Sequence, residues 1–332
     1  MSIFRANISI LNKFLNNFAP CFTKKQLAMF ILIIYAMFKD YKRNSLEAMA
    51  QAVHTDYQKL QYFFSESKWD LQAIKQKRMD IIQKQRTTAT TKDGILTIDD
   101  TGCPKPFAKQ TEAAKWQYCG SLKRSEICNV AVGAAFVSKA KHFPIDVVPY
   151  LPADEFPEGK KDLHFKDKIQ IAIELFDNAL ESFDFSATSF DSWYSAKRFL
   201  EHIHAKERIF YSEIKSNRNI FTYHPVKKKY CMVKPSELVT LIKKYYADKI
   251  KSVTSKSADG SEVSYKTYSF DATLKDCKVP LKFVVILGKW NKDDDNKYHV
   301  LITNQLNVTA KTVITNYLLR WGIEQCFKEL KD

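Results

Sequence analysis

The chain has 332 residues, 45% of them hydrophobic, with 52 Lys plus Arg against 37 Asp plus Glu and a formal charge of +15. A chain of this length and apolar content buries a full core, which excludes a disordered tail. The cationic excess favours a polyanionic partner, nucleic acid first, although a lysine-rich solvated surface accounts for part of it.

Seven cysteines (Cys21, Cys103, Cys119, Cys128, Cys231, Cys277 and Cys326) are scattered without a C-x-x-C pair, so neither a disulfide framework nor a zinc knuckle is indicated. A reducing cytosol is expected. The most apolar run, residues 27–38, is 12 residues long, short of the roughly 20 that a membrane span needs. It reads as a buried helix, and the N-terminus carries no export signal.

Apolar residues recur at helical spacing from Ile3 to about residue 85, as in Leu11, Phe14, Leu15 and Phe18 and then Leu60, Phe63 and Phe64. A helical N-terminal DNA-binding domain is expected over residues 1–92, with a polar break at residues 86–94. The short strand at residues 95–98 then ends in Asp99 and Asp100. Strands at 129–138 and 143–151 form a hairpin; a helix at 166–180 and a strand at 187–193 containing Asp191 follow. A helix at 195–204 and a strand at 209–214 complete an α/β order, β-β-β-α-β-α-β, which resembles the RNase H-like one.

This assigns residues 93–217 to the first part of a mixed β-sheet core flanked by helices. Residues 218–300 read as an inserted, largely β subdomain, with a helix at 236–246 and strands at 265–270 and 283–287. Its acidic run at residues 293–295 lacks the calcium-loop spacing and reads as a solvated turn. Residues 301–332 return to the core with a strand at 300–303 and one continuous helix over 310–331, capped by Thr309.

Phosphodiester cleavage by two metals needs hard oxygen ligands, so a few carboxylates from distant segments are its expected signature. Asp100 on the first strand, Asp191 on the fourth and Glu324 in the final helix fit it. A single such carboxylate is more often a cap or turn former; only the set argues for catalysis. Tyr317, Arg320, Glu324 and Lys331 fall within roughly a 60° arc of a continuous helix. Such a face suits metal and phosphate contacts, or else a salt-bridged solvent face.

The spacing Tyr317-x2-Arg320-x3-Glu324-x6-Lys331 is similar to the Y-R-E-K signature of IS4-type transposases. Residues 98–102 (IDDTG) with Pro104-Lys105, 117–120 (QYCG), 129–132 (NVAV) and 190–194 (FDSWY) resemble IS701-type DDE endonucleases. The resemblance runs from about residue 20 to the end and implies a DNA transposase. That enzyme cuts transposon ends and transfers the freed 3′-OH into target DNA, using two Mg²⁺ ions with Mn²⁺ as a substitute. It implies Asp100, Asp191 and Glu324 as catalytic metal ligands, and Tyr317, Arg320 and Lys331 as contacts to DNA phosphates. Asp99 competes with Asp100 on the opposite face of the strand, and the family's placement of the ligand directly before Thr selects Asp100. Lys215 and Arg218 resemble basic strand-end phosphate contacts, with a solvated loop as the alternative. Trp290 resembles an aromatic that stacks on an extruded base, with core packing as its alternative.

The implied partners are double-stranded DNA, both terminal inverted repeats and target, and a second copy in a synaptic dimer; no membrane is involved. Relatives continue beyond Glu324 with a helical region used in synapsis, whereas eight residues follow it here. A truncated or domesticated non-catalytic DNA-binding relative is therefore the alternative, ahead of another RNase H-like nuclease.

Overall fold

A computed structural model describes residues 2–39, 45–109, 111–256, 261–288, 290 and 297–331. The acidic run at 293–295 lies outside these described residues. The chain divides into two compact units, Met1–Ala89 with Leu330–Asp332, and Thr90–Glu329.

The first unit is helical, with α1 (Ser2–Leu15), α2 (Lys24–Lys39), α3 (Leu46–Ala52), α4 (Tyr57–Ser65) and α5 (Leu71–Lys84). Ser45, Asp56 and Asp70 start α3, α4 and α5 by accepting hydrogen bonds from first-turn N–H groups, which satisfies donors that a helix leaves unpaired. Ile33, Ala36, Met49, Leu60 and Phe63 make its core, with Phe22, Phe30 and Trp69 packed against them. The buried helix expected at 27–38 buries one face. Only Ile33 and Ala36 of α2 are buried and Phe38 is 71% exposed, because a small unit has one interior and a helix presents one stripe to it.

In the second unit, β1 (Ile95–Pro104), β2 (Lys115–Cys119), β3 (Arg124–Val137) and β4 (His142–Tyr150) precede α6 (Lys168–Ser182), β5 (Ala187–Phe190), α7 (Lys197–Ala205) and β6 (Ile209–Glu213). β1 lies between antiparallel β3 and parallel β5; β4 pairs antiparallel with β3, and β6 parallel with β5. This is a mixed α/β fold with RNase H-like strand order.

Then come β7 (Ile220–His224), β8 (Lys229–Val233), α8 (Pro235–Tyr245), β9 (Lys251–Lys256), β10 (Glu262–Leu274), β11 (Leu281–Ile286) and β12 (His299–Thr303). Because β12 pairs with β6, these strands extend the same sheet rather than stand apart. Among the described residues no helix is long and apolar enough to cross a membrane.

Strand alternation gives the sheet two faces. Ile95, Ala135, Val137, Ala187 and Tyr211 lie on one, packed with Val313, Ile314, Tyr317, Ile323 and Phe327 of α9 (Ala310–Leu318) and α10 (Trp321–Lys331). On the other face, Phe190 meets Phe199 of α7 at 4.9 Å between ring centroids, and Phe199 meets Phe176 of α6 at 6.3 Å. Each such fully buried ring contributes roughly 1.5–3 kcal/mol of transfer free energy.

Three local differences from the sequence expectation bear on the site. The helix expected over 310–331 is two helices. At the junction, Arg320 N bonds Tyr317 O (3.0 Å) and Gly322 N bonds Leu319 O (3.0 Å), and these three-residue links tighten the turn. Gly322 there sits on β3, where a Cβ would lie 2.5 Å from Val137 Cγ1. Second, β5 stops at Phe190 because the Asp191 carboxylate accepts from Trp193 N (2.8 Å) and Tyr194 N (3.3 Å), turning the chain. Third, β2 went unanticipated: its two rings, Trp116 and Tyr118, alternate along the strand but point outward, 71% and 61% exposed, and five residues are a short run in which to read that alternation.

Candidate active site

Carboxylates are gathered where β1 and β5 run side by side. Ile98 is in register with Phe190, so Asp99 and Asp191 follow as the next step on neighbouring strands. Asp99 has the parity of Ile95 and faces the α9–α10 layer; Asp100 has the parity of Ile98 and faces α6.

Their partners differ accordingly. Arg320, at the junction of α9 and α10, donates from Nη1 to Asp99 Oδ2 at 2.7 Å. Its Nη2 lies 2.9 Å from Glu324 Oε1. Asp100 Oδ2 instead takes the ammonium of Lys168, the first residue of α6. The side chains of Asp99 and Arg320 are 14% and 10% exposed, against 30% for Asp100 and 56% for Glu324.

Burial pushes the Asp99 carboxyl up to about 8, against the pull of Arg320 and with help from Asp191 and Asp100. Asp191 is raised too, first by burial, while Arg320 and the Trp193 and Tyr194 N–H groups oppose the shift. Burial and then Asp100, Asp99 and Asp191 hold the Tyr194 phenol well above its ordinary value. The Tyr194 hydroxyl is buried with no hydrogen-bond partner among the described residues, as is Arg320 Nε. Four carboxyl groups thus stand beside two cations, Arg320 and Lys168, and hard oxygen donors dominate, a chemistry that fits a divalent cation such as Mg²⁺. Among the described residues, no three His, Cys, Asp or Glu side chains are drawn together tightly enough to hold one as they stand.

Tyr317 and Trp290 are inside. Tyr317 is buried and its hydroxyl donates to Glu213 Oε2 at 3.1 Å, while Glu213 Oε1 is 2.8 Å from His299 Nδ1. Trp290, 9% exposed, stacks on Tyr317 at 5.9 Å and lies against His299 at 4.7 Å. Of its two expectations, Trp290 adopts the packed one in this conformation, because Tyr317 and His299 occupy its surroundings. Arg218 donates to Ser195 O at 3.1 Å, and Lys215 lies 5.6 Å from the centroid of the half-exposed Trp193 ring. Lys331 is the exposed last residue of α10 and belongs to the other unit. Beside Lys215 opens a cavity of about 460 Å³ lined by Ser192, Glu213, Asn217 and Tyr298.

Lys168, Glu213, Trp193 and the Asp99 link to Arg320 had no individual sequence signal; the nearest hint was Trp193 within the FDSWY stretch. The comparisons with known proteins agree with the resemblance in the motifs. A family described as DDE superfamily endonuclease matches residues 17–237, and one described as transposase DDE domain matches 163–332. A relative from Microchaete diplosiphon, named a probable transposase for insertion sequence element IS701, is 30% identical over 186 residues. That alignment covers 54% of this chain and 47% of the relative, so the chain spans about half the length of that relative.

Proposed function

We propose, from the premise that this chain belongs to the DDE superfamily of endonucleases and transposases, that it is a DNA transposase making cut-and-paste breaks at transposon ends. The observation that carries this reading is the meeting of Asp99 of β1, Asp191 just after β5 and Glu324 of α10 around one buried arginine, with Asp100 next to Asp99 in the chain.

Asp100, Asp191 and Glu324 are the proposed ligands of two Mg²⁺ ions, which Mn²⁺ replaces. Asp100 and Glu324 are the more open carboxylates, the first paired with the Lys168 ammonium and the second with the Arg320 guanidinium. When bound, such ions lower the pKa of an attacking water and stabilise the leaving 3′ oxygen. Asp99, deeper and fixed to Arg320, positions that guanidinium instead. Tyr317 supports it from below, the guanidinium carbon lying 5.7 Å from the ring centroid. Arg320, Lys215, Arg218 and Lys331 then supply phosphate contacts, and Tyr317 and Trp290 form the packed seat behind them. Double-stranded DNA, as terminal inverted repeats and as target, is the partner, held by a homodimer in the synaptic complex.

The test is purified chain incubated with labelled duplex carrying the inverted repeats that flank its gene, in Mg²⁺ and in EDTA. Metal-dependent nicking at the repeat boundary supports the reading. Binding without nicking in either condition would replace it with a non-catalytic DNA-binding relative.

A further inference from the structure

We propose that Lys168 is a built-in counter-cation of this site: its ammonium keeps the place of a divalent cation at Asp100 and passes to a DNA phosphate once a cation takes that carboxylate. The inference rests on the metal-dependent reading above and names a residue that neither the motifs nor the comparisons mark.

Lys168 is the first residue of α6, whose N-cap is Asp167. A positive charge there opposes the helix dipole, so the helix itself gains nothing from it. Asp167 does not offset the charge, because its carboxylate already serves Gln170 N and Arg198. What holds the ammonium is Asp100 on one side and two aromatic rings on the other, Tyr150 at 5.5 Å and Trp193 at 5.3 Å from their centroids. The Lys168 side chain is 17% exposed, so its charge is largely removed from solvent.

Trp193 is a shared seat. Lys215 lies 5.6 Å from the same ring, and the Trp193 backbone N–H donates to Asp191. Two ammoniums therefore flank one indole at the rim of the carboxylates, each on a flexible stem carrying a compact charge. A divalent cation at Asp100 repels Lys168, which then swings with Lys215 toward the nearest anion. In a DNA complex that anion is a phosphate. The exchange is ionic throughout, with no bond made or broken.

The experiment measures Mn²⁺ binding by calorimetry to the full chain without DNA, for wild type, Lys168→Met and Lys168→Arg. Methionine keeps the apolar contact with the rings and removes the charge. Lys168→Met is expected to bind Mn²⁺ about tenfold more tightly, the size of effect one neighbouring charge exerts on a carboxylate, and Lys168→Arg to return toward wild type. In parallel, the dependence of duplex affinity on salt is measured with Mg²⁺ and with EDTA. Lys168→Met should lower the slope by about one in Mg²⁺ and leave it unchanged in EDTA. Equal Mn²⁺ affinity in wild type and Lys168→Met, or the same slope loss in both conditions, overturns the proposal alone. Failure of every form to bind Mn²⁺ overturns it together with the metal-dependent reading.

Discussion

Arg320 donates to Asp99 across 221 residues of sequence, at 2.7 Å, and both side chains are nearly enclosed. The same guanidinium reaches Glu324 one turn further along the chain. One buried cation therefore joins the first strand of the core to the last helix, and several expectations follow from how each end of that link is made.

Above about pH 8, where the Asp99 carboxylate is ionised, Asp99→Ala leaves Arg320 buried without the acceptor of its Nη1 hydrogen bond. Loss of one partner of a buried pair costs roughly 3–5 kcal/mol, and the low end applies because Glu324 remains. Asp99→Asn, which keeps an acceptor oxygen, should cost clearly less. Urea unfolding of both variants measures the difference; equal and small losses would show that the pair does not hold β1 to α10.

Stability of the metal-free protein should also fall with pH through Asp99. Its carboxyl is raised by burial from 3.8 to about 8, so the folded state keeps a proton that the unfolded chain releases. The stabilisation from that proton is complete below the unfolded pKa and is lost as pH rises through the window to about 8. Unfolding in EDTA between pH 5 and 8.5 should show a decline in wild type that Asp99→Asn flattens. A decline unchanged in the variant would assign it to other groups.

Glu324 is exposed, and glutamine in its place keeps an oxygen that accepts from Arg320 Nη2. Glu324→Gln should therefore stay within about 0.5 kcal/mol of wild type while nicking falls by more than about 100-fold, beyond the usual loss of an outer-shell partner. Asp191→Asn should behave alike, because its amide oxygen still accepts from Trp193 N and Tyr194 N. Nicking near the wild-type rate in either variant would remove that residue from the ligand set.

Gly322 has no room for a methyl group. Added carbon would meet Val137 Cγ1 at 2.5 Å and Cγ2 at 2.8 Å, and a branched valine on a strand cannot turn aside. Gly322→Ala should cost about 1–3 kcal/mol by overpacking and push the start of α10 off the sheet, so nicking should fall with stability. Thermal melts and the nicking assay on one preparation test both parts; a stable variant with full activity would contradict the close seat.

Tyr317→Phe separates packing from DNA contact. The hydroxyl is buried on Glu213, so its loss should cost about 1–3 kcal/mol by stranding that acceptor and leave the salt dependence of duplex affinity alone. Lys331→Ala should do the reverse, lowering the slope by about one with little change in stability. A clear loss of duplex affinity in folded Tyr317→Phe would place the phenol on the DNA after all.

Residues 95–98 ending in two carboxylates, the hairpin at 129–151, the capped start of α9 at Thr309 and, β2 aside, the order of the core strands and helices as far as β6 were legible in the chain. Each depends on local periodicity, turn residues or caps, which act between neighbours. The same holds for the spacing of Tyr317, Arg320, Glu324 and Lys331, which carried the family resemblance. What distinguishes Asp99 from Asp100 is different in kind. Alternation assigns them to opposite faces, but that one face holds Arg320 and the other Lys168 depends on which helix covers each side of the sheet. The break at Leu319 and Arg320, the burial of Trp290 and Tyr317, and the joining of β12 to β6 likewise arise from contacts between segments remote in sequence. Local periodicity is written in each segment, whereas the partner of a buried charge is set by close packing in three dimensions.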